Sequence, residues 1–299
     1  MMDGVVQGTF SAAEDIAPFS TGSRGPDFAV PANACDCHMH LFDNAMPFVG
    51  VGALTHEDAS PDDYRKLQRR LNLQRNVIVQ PSSYGRDHRV MLAGLRALGP
   101  SARGVAVIDP GATRAELEEL NQAGVAGVRF NLVQSGATRE DMLETVARMI
   151  MPFGWHIQIH AHPVDLLRLA SRLVALPVPV VIDHHARLNV DPERSREIAA
   201  LLSWMLASGK VWLKLSAPYI ASPDSQAYED LDNTVRKLVH RYFDRMVWGT
   251  DWPHVTEPLN AKPDDAVLMN LLARWLSKTE MKSVLVDNPA ALYAFGSTI

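Results

Sequence analysis

Two short runs concentrate the groups with which this chain could do chemistry: Cys35-Asp36-Cys37-His38-Met39-His40 near its start, and Gly249-Thr250-Asp251-Trp252-Pro253-His254 near its end. Each closes an apolar stretch with polar side chains able to hold a water or a metal ion. His38 and His40 alternate by two, so an extended segment turns both imidazoles to one side, where they can converge on one point. Asp251 adds a carboxylate, and Trp252-Pro253 behind it stops the strand and leaves that carboxylate at its end. His160 and His184 close two further apolar runs in the same way. Groups so far apart in sequence make one site only if the fold brings the last strand beside the first.

The elements that must position them alternate along the chain. Apolar runs fall at 34–38, 76–80, 104–108, 127–130, 156–159, 180–183, 211–215 and 246–248, most of them rich in Val and Ile and apolar on both faces, as buried parallel strands require. Segments with helical spacing lie between them. Ser60-Pro61-Asp62 opens one over 64–73, and Thr113-Arg114-Ala115-Glu116 is a capping box opening 117–123. Others run over 138–150, 164–176, 194–208, 227–243 and 265–276. Eight strands with polar groups at both ends of the series predict a closed (β/α)8 TIM barrel, in which the last strand lies beside the first and the site forms at the rim where the strands release their loops. An open doubly wound sheet is the competing architecture. The barrel is expected to span residues 34–299 as a single domain. Residues 1–33 read as an N-terminal arm on the surface or on a neighbouring subunit, disordered by default. Gly50-Val51-Gly52 follows no strand and opens no clear helix, so it reads as a loop and not as a phosphate cradle.

Composition narrows the class further. With 299 residues, 47% of them apolar, a net charge of −5 and no lysine-arginine run, the chain has a substantial core and no electrostatic footprint for nucleic acid or an anionic membrane. Small molecules and copies of itself are the expected partners. No apolar stretch approaches the roughly 20 residues needed to cross a bilayer, and a cytoplasmic location is expected. Cys35 and Cys37 are the two cysteines; a strand would turn both to the same side, packed as small apolar residues.

Several of these segments together resemble the amidohydrolase superfamily, and within it a branch of lactone hydrolases. The resembling residues are Asp36-x-His38-x-His40, 76–80 (Asn-Val-Ile-Val-Gln), 127–131 (Gly-Val-Arg-Phe-Asn), 181–184 (Val-Ile-Asp-His), 248–254 (Trp-Gly-Thr-Asp-Trp-Pro-His) and Asn288-Pro289. The resemblance implies that Asp251 deprotonates the attacking water while His38, His40 and His184 polarise a lactone carbonyl or help to bind a metal. A carboxylate base and imidazole donors meeting at one carbonyl is also what acyl-transfer hydrolysis requires. Either no metal or one divalent ion, Zn or Mn, fits the resemblance. The expected ligand set is His38, His40, His160 and Asp251, with Arg129 standing where a lysine or glutamate would bridge a second metal.

Substrate recognition is expected from the other rim groups: Ser82, Ser83, Tyr84 and Arg86 after strand two, Arg129 and Asn131 on strand four, His160, Arg187 after strand six, Tyr219 after strand seven, and His254. Arg129 and Arg187 are the expected carboxylate clamps, because a guanidinium within an apolar run needs an anionic partner. The chain departs from the pyrone-dicarboxylate lactonases that typify the branch: Asn131 is followed by Leu-Val-Gln-Ser, and strand seven by Ala217-Pro218-Tyr219-Ile220-Ala221, with no further basic residue. A lactone carrying one acid group, of muconolactone or sugar-acid type, is therefore expected. A metal-dependent decarboxylase of the same superfamily is the alternative, distinguished by release of carbon dioxide. A catalytically silent barrel acting as a binding protein is the other, and any turnover excludes it.

Overall fold

The computed structural model describes residues 16–49, 54–134, 138–191, 193–224 and 227–296. Eight strands follow one another in parallel, each hydrogen-bonded to the next: β1 (Cys35–Met39), β2 (Arg75–Val79), β3 (Ala102–Ala106), β4 (Val125–Asn131), β5 (His156–His160), β6 (Val180–Ile182), β7 (Val211–Ser216) and β8 (Met246–Gly249). They fall within one or two residues of the apolar runs. Helices α1 (Pro61–Arg70), α2 (Arg89–Leu98), α3 (Arg114–Gln122), α4 (Leu143–Ile150), α5 (Pro163–Ala175), α6 (Ser195–Ala207), a single turn α7 (Pro218–Ala221), α8 (Glu229–Tyr242) and α9 (Asp265–Trp275) cover the outside, and α10 (Lys278–Lys282) and α11 (Asn288–Leu292) complete the chain. The architecture is a (β/α)8 barrel. No described helix is long and apolar enough to cross a membrane.

The start signals act as their chemistry dictates. Ser60 caps α1 and Thr113 caps α3, each in a reciprocal capping box with the third helical residue, Asp63 and Glu116. Helix α2 is not among the expected helices: its N-cap residue, His88, makes no side-chain cap, and Gly94 interrupts its pattern. That glycine is there for packing, since a Cβ on it would lie 2.2 Å from Cδ1 of Leu41.

Closure occurs past the formal end of β8. The amide of Asp251 donates to the carbonyl of His38 at 2.8 Å, and the amide of His40 donates to the carbonyl of Trp252 at 2.8 Å. The seam that shuts the barrel thus runs through the residues proposed for catalysis. Asp36 locks it from behind, accepting from the amide of Thr250 (3.0 Å), the Thr250 hydroxyl (2.7 Å), the Tyr64 hydroxyl (3.0 Å) and the amide of His38 (3.0 Å). Burial pushes its carboxyl up to about 6, against these four hydrogen bonds, which favour the charged form.

Regular alternation in β1 would face Cys35 and Cys37 one way and His38 the other. The strand breaks that rule: three residues from Asp36 to Met39 pass against two from Asn76 to Ile78, an irregularity of the bulge type. Cys35 and Cys37 therefore pack inside with Val77, Val79, Val105 and Val247, while the next residue, His38, also faces inward. Both thiols are free and buried, as expected.

Residues 1–15 and the Gly50-Val51-Gly52 loop lie outside the described residues, but residues 16–33 are tied to the barrel. Trp252 Nε1 donates to Pro18 O at 2.8 Å, Arg70 donates to the carbonyls of Thr21 (2.9 Å) and Gly22 (2.6 Å), and Ala17 is buried.

Candidate active site

The closing seam delivers one carboxylate into a ring of imidazoles. Oδ1 of Asp251 lies 3.4 Å from Nε2 of His40, 3.5 Å from Nε2 of His38 and 3.8 Å from Nε2 of His184. Its other oxygen is committed: Oδ2 accepts from the Tyr219 hydroxyl at 2.8 Å. Tyr219 in turn lies 2.9 Å from Nδ1 of His254, whose Nε2 sits 3.0 Å from Oδ2 of Asp265. This relay fixes the rotation of the carboxylate and leaves Oδ1 facing the histidines and the pocket.

Electrostatics follow from burial and these neighbours. Burial alone would raise the Asp251 carboxyl, but the field of His184, the hydrogen bond with His40 and the field of His38 outweigh it and hold the group well below the usual carboxylate range. Burial drives the imidazoles of His38, His160 and His184 down, so burial and the carboxylate pull these rings in opposite directions. Burial beside Asp251 pushes the Tyr219 phenol well up, keeping it a proton donor to the carboxylate.

Backbone geometry holds His184 in place. Residues His184, His185, Ala186 and Arg187 all have φ between 50° and 56°, a left-handed turn built from four non-glycine residues, at a cost of roughly 1–2 kcal/mol each. Asp251 (φ 67°) and His254 (φ 58°) share this conformation. Strain of this kind concentrates where surrounding packing over-determines a functional geometry.

Gly249 is the small residue the seam demands. A Cβ there would lie 2.6 Å from the backbone N of His38 and 2.7 Å from its Cβ. Because these atoms cannot swing away, Gly249→Ala is expected to lower stability by about 1–3 kcal/mol. Displacing His38 is also expected to lower kcat, by up to about 10²-fold. Denaturant unfolding and steady-state kinetics on the variant check both; wild-type values in each would show that the seam tolerates the added methyl.

Beneath the ring lies a polar network that the sequence reading did not single out. Lys214 on β7, fully buried, donates from Nζ to Oε1 of Gln158 (2.7 Å), lies 3.3 Å from Nδ1 of His38, and pairs with Oδ1 of Asp183 at 3.2 Å. Gln158 Nε2 donates to Oδ2 of Asp183 at 2.9 Å. Burial would raise the Asp183 carboxyl, but Lys214 and His38 hold it well below the ordinary range. The signal available in sequence was a lysine at the centre of an apolar strand, where an unpaired ammonium could not be buried.

The pocket above Asp251 and His184 is walled by His40, Phe42, Ser82, Ser83, Arg129, Asn131, Gln134, His160, Ile220 and Val255 among others. Of the expected recognition residues, Ser82, Ser83, Arg129, Asn131 and His160 line it. Arg129 is buried, its Nε without a hydrogen bond but 4.0 Å from Oδ2 of Asp183, and its Nη1 3.5 Å from Gln80 O; burial lowers its pKa against the pull of Asp183 and Asp251. Arg187 stands behind the wall, Nη1 3.4 Å from Nε2 of His160.

Three expected contacts are corrected. Arg86 turns outward to pair with Asp109 at 3.0 Å and Glu116 at 3.6 Å. Tyr84 is buried with its hydroxyl hydrogen-bonded to the backbone N and O of Asp43. His254 is fully buried, and together with Tyr219 it orients Asp251 instead of forming the pocket wall. In each case the neighbouring helix or loop supplied a partner that the sequence alone could not place.

The donor set fits one cation. Among the described residues, the potential ligand atoms of His38, His40 and Asp251 lie within 4.8 Å of one another; His160 does not join them, so the expected fourth ligand is corrected. His40 Nδ1 faces the carbonyl of Val79 at 2.7 Å and must donate to it, leaving Nε2 turned toward Oδ1 of Asp251 with either a bare lone pair or a second proton. A cation between the two would relieve that opposition. Nε2 of His38, buried and without a hydrogen-bond partner, would be the third donor wherever it carries a lone pair.

The chain is similar to known proteins over most of its length. The chain is 37% identical over 282 residues to 2-pyrone-4,6-dicarboxylate hydrolase of Comamonas testosteroni, covering 90% of this chain and 92% of that one. It is 31% identical over 276 residues to D-galactarolactone isomerase of Agrobacterium fabrum, covering 90% and 93%. The solved structure of a probable 2-pyrone-4,6-dicarboxylic acid hydrolase from Acinetobacter baumannii, with citric acid bound, superposes with a TM-score of 0.74 at 25% identity, covering 88% of this chain and 100% of that one. The family model described as amidohydrolase matches residues 35–295, from the first residue of β1 to the end of the described chain but one, and this protein belongs to that amidohydrolase family.

Proposed function

We propose that this protein is a lactonase-type hydrolase that opens the ring of a small lactone carrying one carboxylate. The observation that carries the reading is the environment of Asp251: Oδ2 tied by Tyr219, Oδ1 open to the pocket and ringed by three imidazole nitrogens at 3.4–3.8 Å. A water held against Oδ1 gives its proton to the carboxylate as its oxygen attacks the lactone carbonyl. The oxyanion that forms needs hydrogen-bond donors, and the buried imidazoles supply them with little reorganisation. Collapse breaks the bond to the ring oxygen, which leaves as a hydroxyl once it takes a proton; Asp251, now protonated, is the group placed to return one. A divalent cation held by His38, His40 and Asp251 would add polarisation of the carbonyl or acidify the water. The similarity to a lactone isomerase supports a variant in which a substrate hydroxyl replaces water as the nucleophile, with Asp251 still the base.

Specificity rests on Arg129. It is the arginine that lines the pocket among the described residues, Arg86 being committed to Asp109 and Arg187 lying behind His160. One guanidinium recognises one carboxylate; a second acid group against neutral walls would forfeit its hydration without a charge-assisted bond. In a panel of aromatic-catabolism and sugar-acid lactones, assayed with and without chelator, monocarboxylate lactones are expected to exceed pyrone dicarboxylate in kcat/KM. Arg129→Met is expected to raise KM by about 10- to 100-fold, the worth of a charged hydrogen bond, with the thermal midpoint nearly unchanged. Efficient turnover of the dicarboxylate, or an unaltered KM in the variant, would remove Arg129 as the sole clamp.

A further inference from the structure

The Lys214–Asp183–Gln158 network meets the reacting site at one atom, Nδ1 of His38, and what it does there decides what the other side of that ring can do. A neutral imidazole carries its proton on one nitrogen: a donor at Nδ1 leaves a lone pair at Nε2, and an acceptor at Nδ1 leaves an N–H at Nε2. Two opposed groups flank Nδ1. Nζ of Lys214 lies 3.3 Å away and Oδ1 of Asp183 lies 3.4 Å away. The ammonium has three protons and three acceptors within reach: Gln158 Oε1 at 2.7 Å, Asp183 Oδ1 at 3.2 Å and His38 Nδ1. Lysine has no lone pair to offer while charged, so its contact with Nδ1 is made only if Nδ1 accepts. Gln158 Nε2 serves Oδ2 of Asp183, while its Oδ1 has no hydrogen-bond partner and is held by the charge of the ammonium 3.2 Å away; of the two groups flanking Nδ1, Lys214 is the one in hydrogen-bond geometry.

We propose that Lys214 is a positioning residue which, by donating to Nδ1 of His38, places the proton of that imidazole on Nε2 and so makes His38 a hydrogen-bond donor facing Oδ1 of Asp251. Two consequences follow. His38 turns an N–H of fixed direction toward Oδ1 of Asp251, 3.5 Å away, and so helps to hold that carboxylate oxygen in place. A cation can then use all three of His38, His40 and Asp251 only by displacing that proton, which lowers its affinity. Removing the ammonium reverses both, because Asp183 is then the neighbour of Nδ1 and, as an acceptor only, draws the proton to that side. The carboxylate–histidine arrangement that results is the one that commonly orients a metal-ligating imidazole.

The inference rests on the proposed hydrolytic role only for its purpose; its readouts need no substrate. In chelator-treated protein labelled with 15N-histidine, long-range 1H–15N spectra identify the His38 tautomer, assigned by its loss in His38→Asn. The expected wild-type result is the Nε2–H form, and an Nδ1–H form overturns the proposal. Zinc affinity, measured by competition with a chromophoric chelator, is expected to tighten at least about tenfold in Lys214→Met, the gain of one ligand's contribution. The charge-neutral companion Lys214→Met/Asp183→Asn leaves no unpaired buried carboxylate and keeps an amide oxygen able to accept from Nδ1, so it is expected to tighten in the same direction, by less. Near-UV circular dichroism confirms that each variant is folded. Unchanged zinc affinity in a folded variant also overturns the proposal, whatever any lactone assay shows; if neither variant folds, the wild-type tautomer decides.

Discussion

Asp251→Asn is expected to retain the fold and lose kcat for lactone opening by about 10²- to 10⁴-fold, the usual contribution of a positioned general base. The amide has nearly the shape of the carboxylate, and its oxygen can still accept the Tyr219 hydroxyl now found 2.8 Å from Oδ2. It cannot take a proton from water, and an amide nitrogen in the place of Oδ1 would turn N–H groups toward the Nε2 atoms of His38, His40 and His184, which now lie within 3.8 Å. KM should change far less than kcat, because no pocket-wall clamp is touched. Steady-state kinetics on the folded variant settles the matter: turnover within about threefold of wild type would take Asp251 out of the base role.

The second large effect is on stability in mild acid. His156 and His185 are fully buried, and burial pushes each imidazole down to about 3, for His156 against a weak backbone contact with Ala126. An unfolded chain protonates these groups near 6.5, so below that pH the unfolded state binds more protons than the folded one and stability falls as pH falls, down to about 3. From pH 6.5 to 5 the two histidines together remove about 3 kcal/mol. Asp36 opposes them, since burial raises its folded value to about 6 and the folded state takes up its proton first, returning about 1 kcal/mol over the same interval. The net loss is about 2 kcal/mol from these groups, and the depressed imidazoles of His38, His160 and His184 act in the same direction. A fall in thermal midpoint of at least about 3 °C between pH 6.5 and 5 is expected for a chain of 299 residues. Denaturant unfolding at the two pH values checks it; a stability that is flat or rising on acidification would show that these histidines are hydrated or paired in solution.

His156 shows why such groups escape a sequence reading. It begins an apolar strand, and its ring fits because Gly127 on β4 has no Cβ: one placed there would lie 2.4 Å from Cε1 of the imidazole. The pairing of Gly127 with His156 is a register fact, invisible until the strands are aligned.

What the sequence determined by itself is the part that depends on local periodicity and local chemistry. Eight apolar runs separated by helical spacing dictated eight parallel strands, Ser60 and Thr113 dictated two helix starts, and a histidine or aspartate at the end of strands one, five, six and eight dictated where a rim site would form. Closure then follows from count and polarity, because an open sheet would leave His38 and Asp251 at opposite edges. What only the tertiary structure decided is every role that depends on a partner from another strand. The bulge in β1 turns Cys37 and His38 to the same side, against the alternation that local spacing predicts. Arg86 finds Asp109, Tyr84 finds the backbone of Asp43, and His254 finds Tyr219, so three apparent rim groups serve structure or orientation instead. Lys214, Gln158 and Asp183, each an isolated polar residue in an apolar strand, become one buried network only when β5, β6 and β7 are laid side by side. The reason is physical: a strand's period fixes which way a side chain points, but the stability of a buried charge or donor is set by what stands within about 3 Å of it, and that neighbour comes from elsewhere in the chain.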